Sequence, residues 1–202
     1  MISFLLKGGV VLLPILILSI ASLAIIIERS IKYITIRENA PDLECQIIDH
    51  LKDREIEEVD QELRKRYSPE ALVLYAGFKV RNGTLANIDR QMESQALRCT
   101  AELEKNVPHL SSIANLATLL GLLGTVTGMI ISFINMQTSG ISDPAVLAGG
   151  ISQALITTAA GLTVAIPSLL FYNLFNQAVN RAVSRMEIAA AELASFFSGE
   201  KY

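Results

Sequence analysis

Threonine hydroxyls and the amide of Gln153 are the side chains to weigh for chemistry in the most apolar part of this sequence. Between Leu110 and Phe175 stand Thr125 and Thr127, then Gln153, Thr157, Thr158 and Thr163, and neither of the two apolar runs that hold them contains Asp, Glu, Lys, Arg or His. A hydroxyl in an apolar helix commonly donates to its own backbone carbonyl one turn earlier. The other use open to Thr125 and Thr158 is to face a polar path, where a hydroxyl relays a proton or coordinates an ion. Gln153 is the most polar side chain of the later run, and an amide at membrane depth must face protein or water rather than lipid. It donates and accepts hydrogen bonds but does not titrate, so it carries no proton. Gly121, Gly124 and Gly128, three and four residues apart, share one helix face and, with Gly161 in the later run, let backbones approach closely. That face packs helices, or it lets subunits press together around a central axis.

Elsewhere chemistry is sparse. The chain has two histidines, His50 and His109, and two cysteines, Cys45 and Cys99, without the spacing of a metal site. No Ser/His/Asp arrangement and no phosphate loop is present, and Gly8-Gly9 and Gly149-Gly150 are too bare for nucleotide binding. Neither enzymatic activity nor a cofactor nor a metal is expected. A net charge of -3 gives no case for nucleic acid as a partner. Both cysteines fall in a charged region assigned below to the cytoplasm, where thiols stay reduced.

The elements that position these residues follow from hydropathy and charge. The 202 residues are 51% hydrophobic with mean hydropathy +0.42, and the apolar residues come in runs, which indicates an integral membrane protein. The expected fold is all-α, with three transmembrane helices extended by a helical cytoplasmic domain. Residues 1-27 hold an outside N-terminus and the first span. The uncharged stretch Gly8 to Ile27 is long enough to cross about 30 Å of hydrocarbon, and it reads as a span rather than a cleaved signal peptide because no small-x-small site follows. Residues 28-109 form the cytoplasmic helical domain. Within it Asn39-Ala-Pro41 is a break, Asp42 a cap, Ser68-Pro69-Glu70 an N-cap with proline at the first helical position, and Arg81-Asn82-Gly83 a turn into a cap at Thr84. Ile88, Met92, Ala96, Cys99, Leu103 and Val107 draw one apolar stripe.

Val107-Pro108 leads into the second span, 110-134, with the proline either starting that helix or kinking a longer one. A short periplasmic loop, 135-143, precedes the third span, 144-175, which is longer than a perpendicular crossing requires. A cytoplasmic C-terminal helix, 176-202, carries Val179, Val183, Met186, Ala190, Leu193 and Phe197 on one face. Thirteen of the seventeen Lys and Arg lie from Arg29 to Lys105 and three more in the tail, against none in the 135-143 loop. The positive-inside rule therefore puts the N-terminus outside and the large loop and C-terminus inside.

Two stretches, Leu119-Leu-Gly-Leu-Leu-Gly-Thr-Val-Thr-Gly-Met-Ile130 and Gly150-Ile-Ser-Gln-Ala-Leu-Ile-Thr-Thr-Ala-Ala-Gly-Leu-Thr-Val-Ala-Ile-Pro167, followed by Phe171-Tyr-Asn173, carry a resemblance. They resemble the ExbB/TolQ/MotA family of inner-membrane motor proteins, nearest the ExbB and TolQ branch, over about a third of the chain, and the three-span layout agrees over its whole length. The resemblance implies a multi-pass protein of the bacterial inner membrane, a homopentamer whose second and third helices line a pore in the lipid bilayer. It implies a single-span ExbD- or TolR-like partner with a membrane aspartate, and a TonB- or TolA-like transducer that carries force to the outer membrane. Thr125 and Thr158 match the family's pore threonines. The family pattern commonly reads Gly-Ile-Ser-Glu-Ala-Leu where this chain has Gln153, so the glutamate's role does not carry over. An engineered neutral substitution that locks the complex, a natural branch relying on the partner's aspartate, and a branch coupled to another ion all fit that departure. Outside the resemblance, the competing expectation is a non-conducting membrane scaffold whose cytoplasmic helices recruit proteins.

Overall fold

Leucine and β-branched side chains run without an interior break from Leu12 to Glu38, and Pro14 sits in the first turn, where its missing N–H would have had no partner. The result is α1, Leu12–Glu38, in a computed structural model that describes residues 9–38, 59, 63, 68–139 and 144–198. It is followed by α2, Pro69–Lys79; α3, Leu85–Glu104; α4, Val107–Ser139; and α5, Pro144–Ser198. The fold is all-α, with no strand among the described residues. Three helices are long and apolar enough to cross a membrane, supplied by α1, α4 and α5. The Asn39–Pro41 break, the Asp42 cap, Cys45 and His50 lie outside the described residues.

The structure decides one helix end that the sequence left open and departs from the expectation at others. Asn106 takes φ 64°, a conformation asparagine tolerates better than most residues, and α4 begins immediately after it at Val107. Pro108 therefore starts the second apolar helix rather than kinking a longer one. At its far end α4 continues to Ser139, so Asn135 to Ser139, expected in a loop, are helical. No glycine or proline interrupts before residue 140, and the Thr138 hydroxyl donates to Ile134 O and Asn135 O, both at 3.1 Å. The third span and the C-terminal helix, expected as separate segments, are one helix of 55 residues, roughly 80 Å long. Pro167 lies inside it without ending it. Thr84 occupies the N-cap position of α3 in extended conformation, yet its hydroxyl makes no capping bond.

The chain divides into two compact units, Met1–Glu28 with Asn106–Leu174, and Arg29–Lys105 with Phe175–Tyr202. The first is held by small residues. Ala114, Ala117 and Ala165 are buried together, with Leu18 and Val164 against them. Its outward side chains are large and apolar, such as Leu13, Leu119 and Ile166, as lipid contact requires.

The second unit has a conventional apolar core, in which Phe78, Ile88, Met92, Met186 and Leu193 are almost wholly enclosed. Ser68 caps α2 by accepting from Ala71 N at 3.2 Å, with Pro69 at the first helical position. Arg81 Nη1 donates to Phe78 O at 3.3 Å, and its guanidinium lies 4.5 Å from the Phe78 ring centroid. Glu70, buried in the first turn of α2, accepts from Arg185 Nε at 2.6 Å. The last carbonyls of α3 meet three side chains of α1. Arg29 Nη1 donates to Glu102 O at 3.1 Å, Lys32 Nζ to the same carbonyl at 3.3 Å, and the Tyr33 hydroxyl to Leu103 O at 2.8 Å. Two of the three are cations at the negative end of a helix dipole, where positive charge is favourable. Lys32 Nζ also donates to Glu102 Oε1 at 2.6 Å, and this bond together with the lysine charge holds the Glu102 carboxyl below the usual range.

Cys99 is a free, buried thiol, and burial pushes its pKa up, more than the hydrogen bond from Gln95 pulls it down. Because the thiolate is the nucleophile, alkylation of Cys99 by iodoacetamide at neutral pH is expected to lag behind that of a free thiol and to accelerate as pH rises; mass spectrometry at timed quenches reads it. Arg185→Met leaves the Glu70 carboxylate enclosed without its cation. A destabilisation of about 2–3 kcal/mol is expected, less than for a fully buried pair because Arg185 is partly exposed, with Glu70→Gln in the same chain restoring part of it; thermal melts of the detergent-solubilised protein measure both.

Candidate functional site

The hydroxyls of interest sit where α4 and α5 come closest, and glycine makes that approach possible. A Cβ at Gly121 would stand 3.3 Å from Thr158 Cα and 3.5 Å from Gly161 Cα, and one at Gly161 would stand 3.0 Å from Gly121 Cα. At Gly124 a Cβ would collide with the Thr157 side chain, and at Gly128 it would press on Ala154 at 3.1 Å. The four glycines named from the sequence therefore face a neighbouring helix of the same chain. Alanine at the Gly121–Gly161 contact would force the backbones apart, since the obstructing atoms are themselves backbone.

Most hydroxyls here turn back onto their own helix. Thr157, fully buried, donates to Gln153 O at 2.9 Å; Thr163 donates to Ala159 O at 2.8 Å; Thr127 is shared between Leu123 O and Gly124 O. Thr125 likewise donates to Leu122 O at 2.6 Å. Thr158 behaves differently: its hydroxyl crosses to Gly121 O on α4 at 2.9 Å. Gly121 lies one turn before Thr125, so Thr125 and Thr158 flank the same stretch of α4 backbone. Each hydroxyl has given its proton to a carbonyl, and each oxygen keeps lone pairs that can accept from a water, an ion's hydration shell or a protonated acid.

Gln153 is not part of that grouping. It precedes Thr158 by five residues, which is about 140° around a helix, and its side chain leaves α5 on another side. Its amide lies against Gly9, where a Cβ would collide with Nε2, and Gly9 has φ +71°. Gly9 is thus required twice, for its conformation and for its lack of a side chain. In the sequence Gly8-Gly9 reads only as too bare for nucleotide binding, and nothing in the pattern links Gly9 to a residue 144 positions away.

A second polar contact was missed by sequence reasoning. Ser22 Oγ and Ser168 Oγ lie 2.6 Å apart, both buried, and Ser168 also bonds Val164 O at 2.7 Å. A hydroxyl pair inside apolar helices ties α1 to α5 where dispersion alone discriminates poorly between registers. Each apolar run holds two serines, Ser19 and Ser22 in the first and Ser152 and Ser168 in the third, and nothing in the pattern says which two meet. His109 is exposed on the first turn of α4, and the described residues contain no grouping of three metal ligands.

The sequence profile described as the MotA/TolQ/ExbB proton channel family matches residues 65–188, the segment that carries every one of these hydroxyls except Ser22. A biopolymer transport protein named ExbB-like 1 from Synechocystis sp. is 35% identical over 196 residues, covering 93% of this chain and 75% of that protein. The biopolymer transport protein ExbB of Xanthomonas campestris is 31% identical over 111 residues, 55% of this chain and 44% of its own length. The Tol-Pal system protein TolQ of Pseudomonas aeruginosa is 32% identical over 111 residues, 55% of this chain and 48% of its own. The match to the last two thus spans somewhat under half of each relative.

Thr158→Val removes the bond that this threonine makes from α5 to α4 and leaves Gly121 O without that donor. A loss of about 0.5–1 kcal/mol is expected, while Thr158→Ser should hold close to the parent; paired thermal melts of the two variants separate the lost hydrogen bond from the lost methyl.

Proposed function

Because this chain belongs to the MotA/TolQ/ExbB proton channel family, we propose that it is a pentameric inner-membrane subunit of a proton-motive-force-driven motor of the ExbB/TolQ kind. In this reading it energises an outer-membrane-directed process such as TonB-dependent import or Tol-type envelope maintenance. The observation that carries the proposal is the pair of hydroxyls, Thr125 and Thr158, beside the Gly121 backbone, in two helices with no Asp, Glu, Lys, Arg or His from Leu110 to Ser139 or from Pro144 to Asn180. Such a wall offers hydrogen-bond acceptors and no titrating group, so the group that gains and loses the proton comes from another chain.

A single-span ExbD- or TolR-like partner with a membrane aspartate supplies that group. A carboxylate at membrane depth is costly while charged and far less so once protonated. Protonation from the outside therefore lets the acid move past an apolar wall, and the Thr125 and Thr158 oxygens accept from the carboxyl proton on the way. Release to the cytoplasm restores the charge and makes the movement directional. The distribution of Lys and Arg supports an outside N-terminus and a cytoplasmic helical extension, from which a TonB- or TolA-like transducer would be driven across the membrane. A catalytic role has no support in the side chains present.

Gln153 favours a second reading. A neutral amide turned toward Gly9 contributes no charge step, which suits a scaffold that assembles partners without conducting, or a motor coupled to another ion. Reconstitution in liposomes separates these. With the single-span partner present, an imposed pH gradient should collapse faster than with either protein alone, and Thr125→Val with Thr158→Val should slow that collapse severalfold. Conduction equal to empty liposomes, or purification only as a lone monomer when co-expressed with the partner, defeats the motor proposal. Gln153→Glu should raise the flux if this position borders the path; flux equal to the parent assigns Gln153 to packing.

A further inference from the structure

Away from the spans, α3 and α5 enclose a cleft of about 440 Å³ that nothing in the ion-path reading uses. Its floor is apolar and soft: Met92 and Met186 are buried beneath it, with Ala96 and Ala190 beside them. Leu97 stands at its edge 66% exposed, an unusual position for a leucine outside the apolar spans. The lining runs from Asp89 to Thr100 on α3 and from Val183 to Ala194 on α5, so the cleft is roughly 17 Å long, about three helical turns. Alanines along both walls allow another backbone to come close, and methionine side chains reshape readily around an incoming group.

The rim is acidic. Asp89 and Glu93 on α3 and Glu187 on α5 are exposed lining residues, and among the described residues no Lys, Arg or His lines the cleft. None of the three carboxylates is in an ion pair among the described residues. Asp89 and Glu93 are four apart on one helix, an arrangement in which like charges repel and destabilise the helix. A cation docked between them relieves that repulsion. A second copy of this chain related by a two-fold axis would bring its own three carboxylates against these.

We propose that this cleft is a docking site for a basic amphipathic helix of a different protein, whose apolar side chains enter between α3 and α5 while its lysines or arginines meet Asp89, Glu93 and Glu187. The mode is that of an amphipathic helix in a groove, with anchors repeating at three- and four-residue spacing. It is independent of whether the spans conduct.

The chain has no tryptophan, so Leu97→Trp places a single fluorescent reporter on the cleft edge of the full-length protein. In nanodiscs of zwitterionic phosphatidylcholine, a tryptophan-free Leu/Lys helix should shift the emission saturably to shorter wavelength after subtraction of empty nanodiscs, and a Leu/Glu helix of the same length should not. Asp89→Asn, Glu93→Gln and Glu187→Gln together should weaken the Leu/Lys helix about tenfold, and added salt should weaken it in the parent. The two-peptide comparison and the salt dependence need no further substitution, so a folding defect in the triple variant leaves the test intact. Equal shifts with both peptides, an affinity unchanged in a folded triple variant, or no shift at all overturns the proposal. So does emission that is already short-wavelength without peptide and moves to longer wavelength on dilution, because a second copy then occupies the cleft.

Discussion

The α4 and α5 backbones touch at Gly121 and Gly161, and the rest of the apolar unit depends on that closeness. In lipid there is no hydrophobic gain from bringing two helices together, so association rests on dispersion and on hydrogen bonds that reach between backbones. Both fall off over a fraction of an ångström. Only because no Cβ intervenes can the Thr158 hydroxyl reach a carbonyl of the facing helix, and only because Thr157 fits the notch at Gly124 does the contact extend along the pair. The same closeness puts Thr125 and Thr158 beside one stretch of backbone. A proposed ion path along these helices and their mechanical cohesion thus draw on one set of small residues.

The other unit solves its problem with charge. The carboxyl end of α3 leaves carbonyls without partners inside the protein, a costly state when water is excluded. Arg29, Lys32 and Tyr33 meet them, and Asn106 then takes a left-handed conformation so that α4 can start afresh. An interruption of two residues between α3 and α4 would look like a frayed end in a sequence. In the structure it is held by side chains about 70 residues earlier, while Asp89 and Glu93, nearer the start of α3, line the cleft beside α5.

Local patterns were legible where one segment alone determines the outcome. The apolar stripe from Ile88 to Leu103 and the one from Val179 to Leu193 pack on opposing helices as their periodicity implied, because a helix must bury whichever face is apolar. Ser68-Pro69 behaved as an N-cap for the same reason: its chemistry acts over three residues. Thr84 had equally good sequence credentials and makes no capping bond, which shows that residue type permits a cap without compelling one. The ends of α4 and the continuity of α5 were not legible, since Asn135 to Ser139 and Asn176 onward are polar enough to leave a helix but contain nothing that stops one.

By itself the sequence determined that this is an all-α membrane chain with three spans, that its spans lack any acid or base, and that Gly and Thr cluster in two of them. Those are properties of composition and of segment length against bilayer thickness, and they hold whatever the helices touch. Tertiary structure alone decided which hydroxyl crosses between helices. Thr125 and Thr158 are chemically identical, yet one bonds its own helix and the other the neighbour, because Thr158 lies where the α4 backbone at Gly121 comes within reach. It also decided that the Gln153 side-chain amide lies against Gly9 rather than beside Thr125 and Thr158. A side chain's direction around a helix becomes a contact only once the neighbouring backbone is placed, and contacts across 144 residues leave no mark on the pattern of either segment.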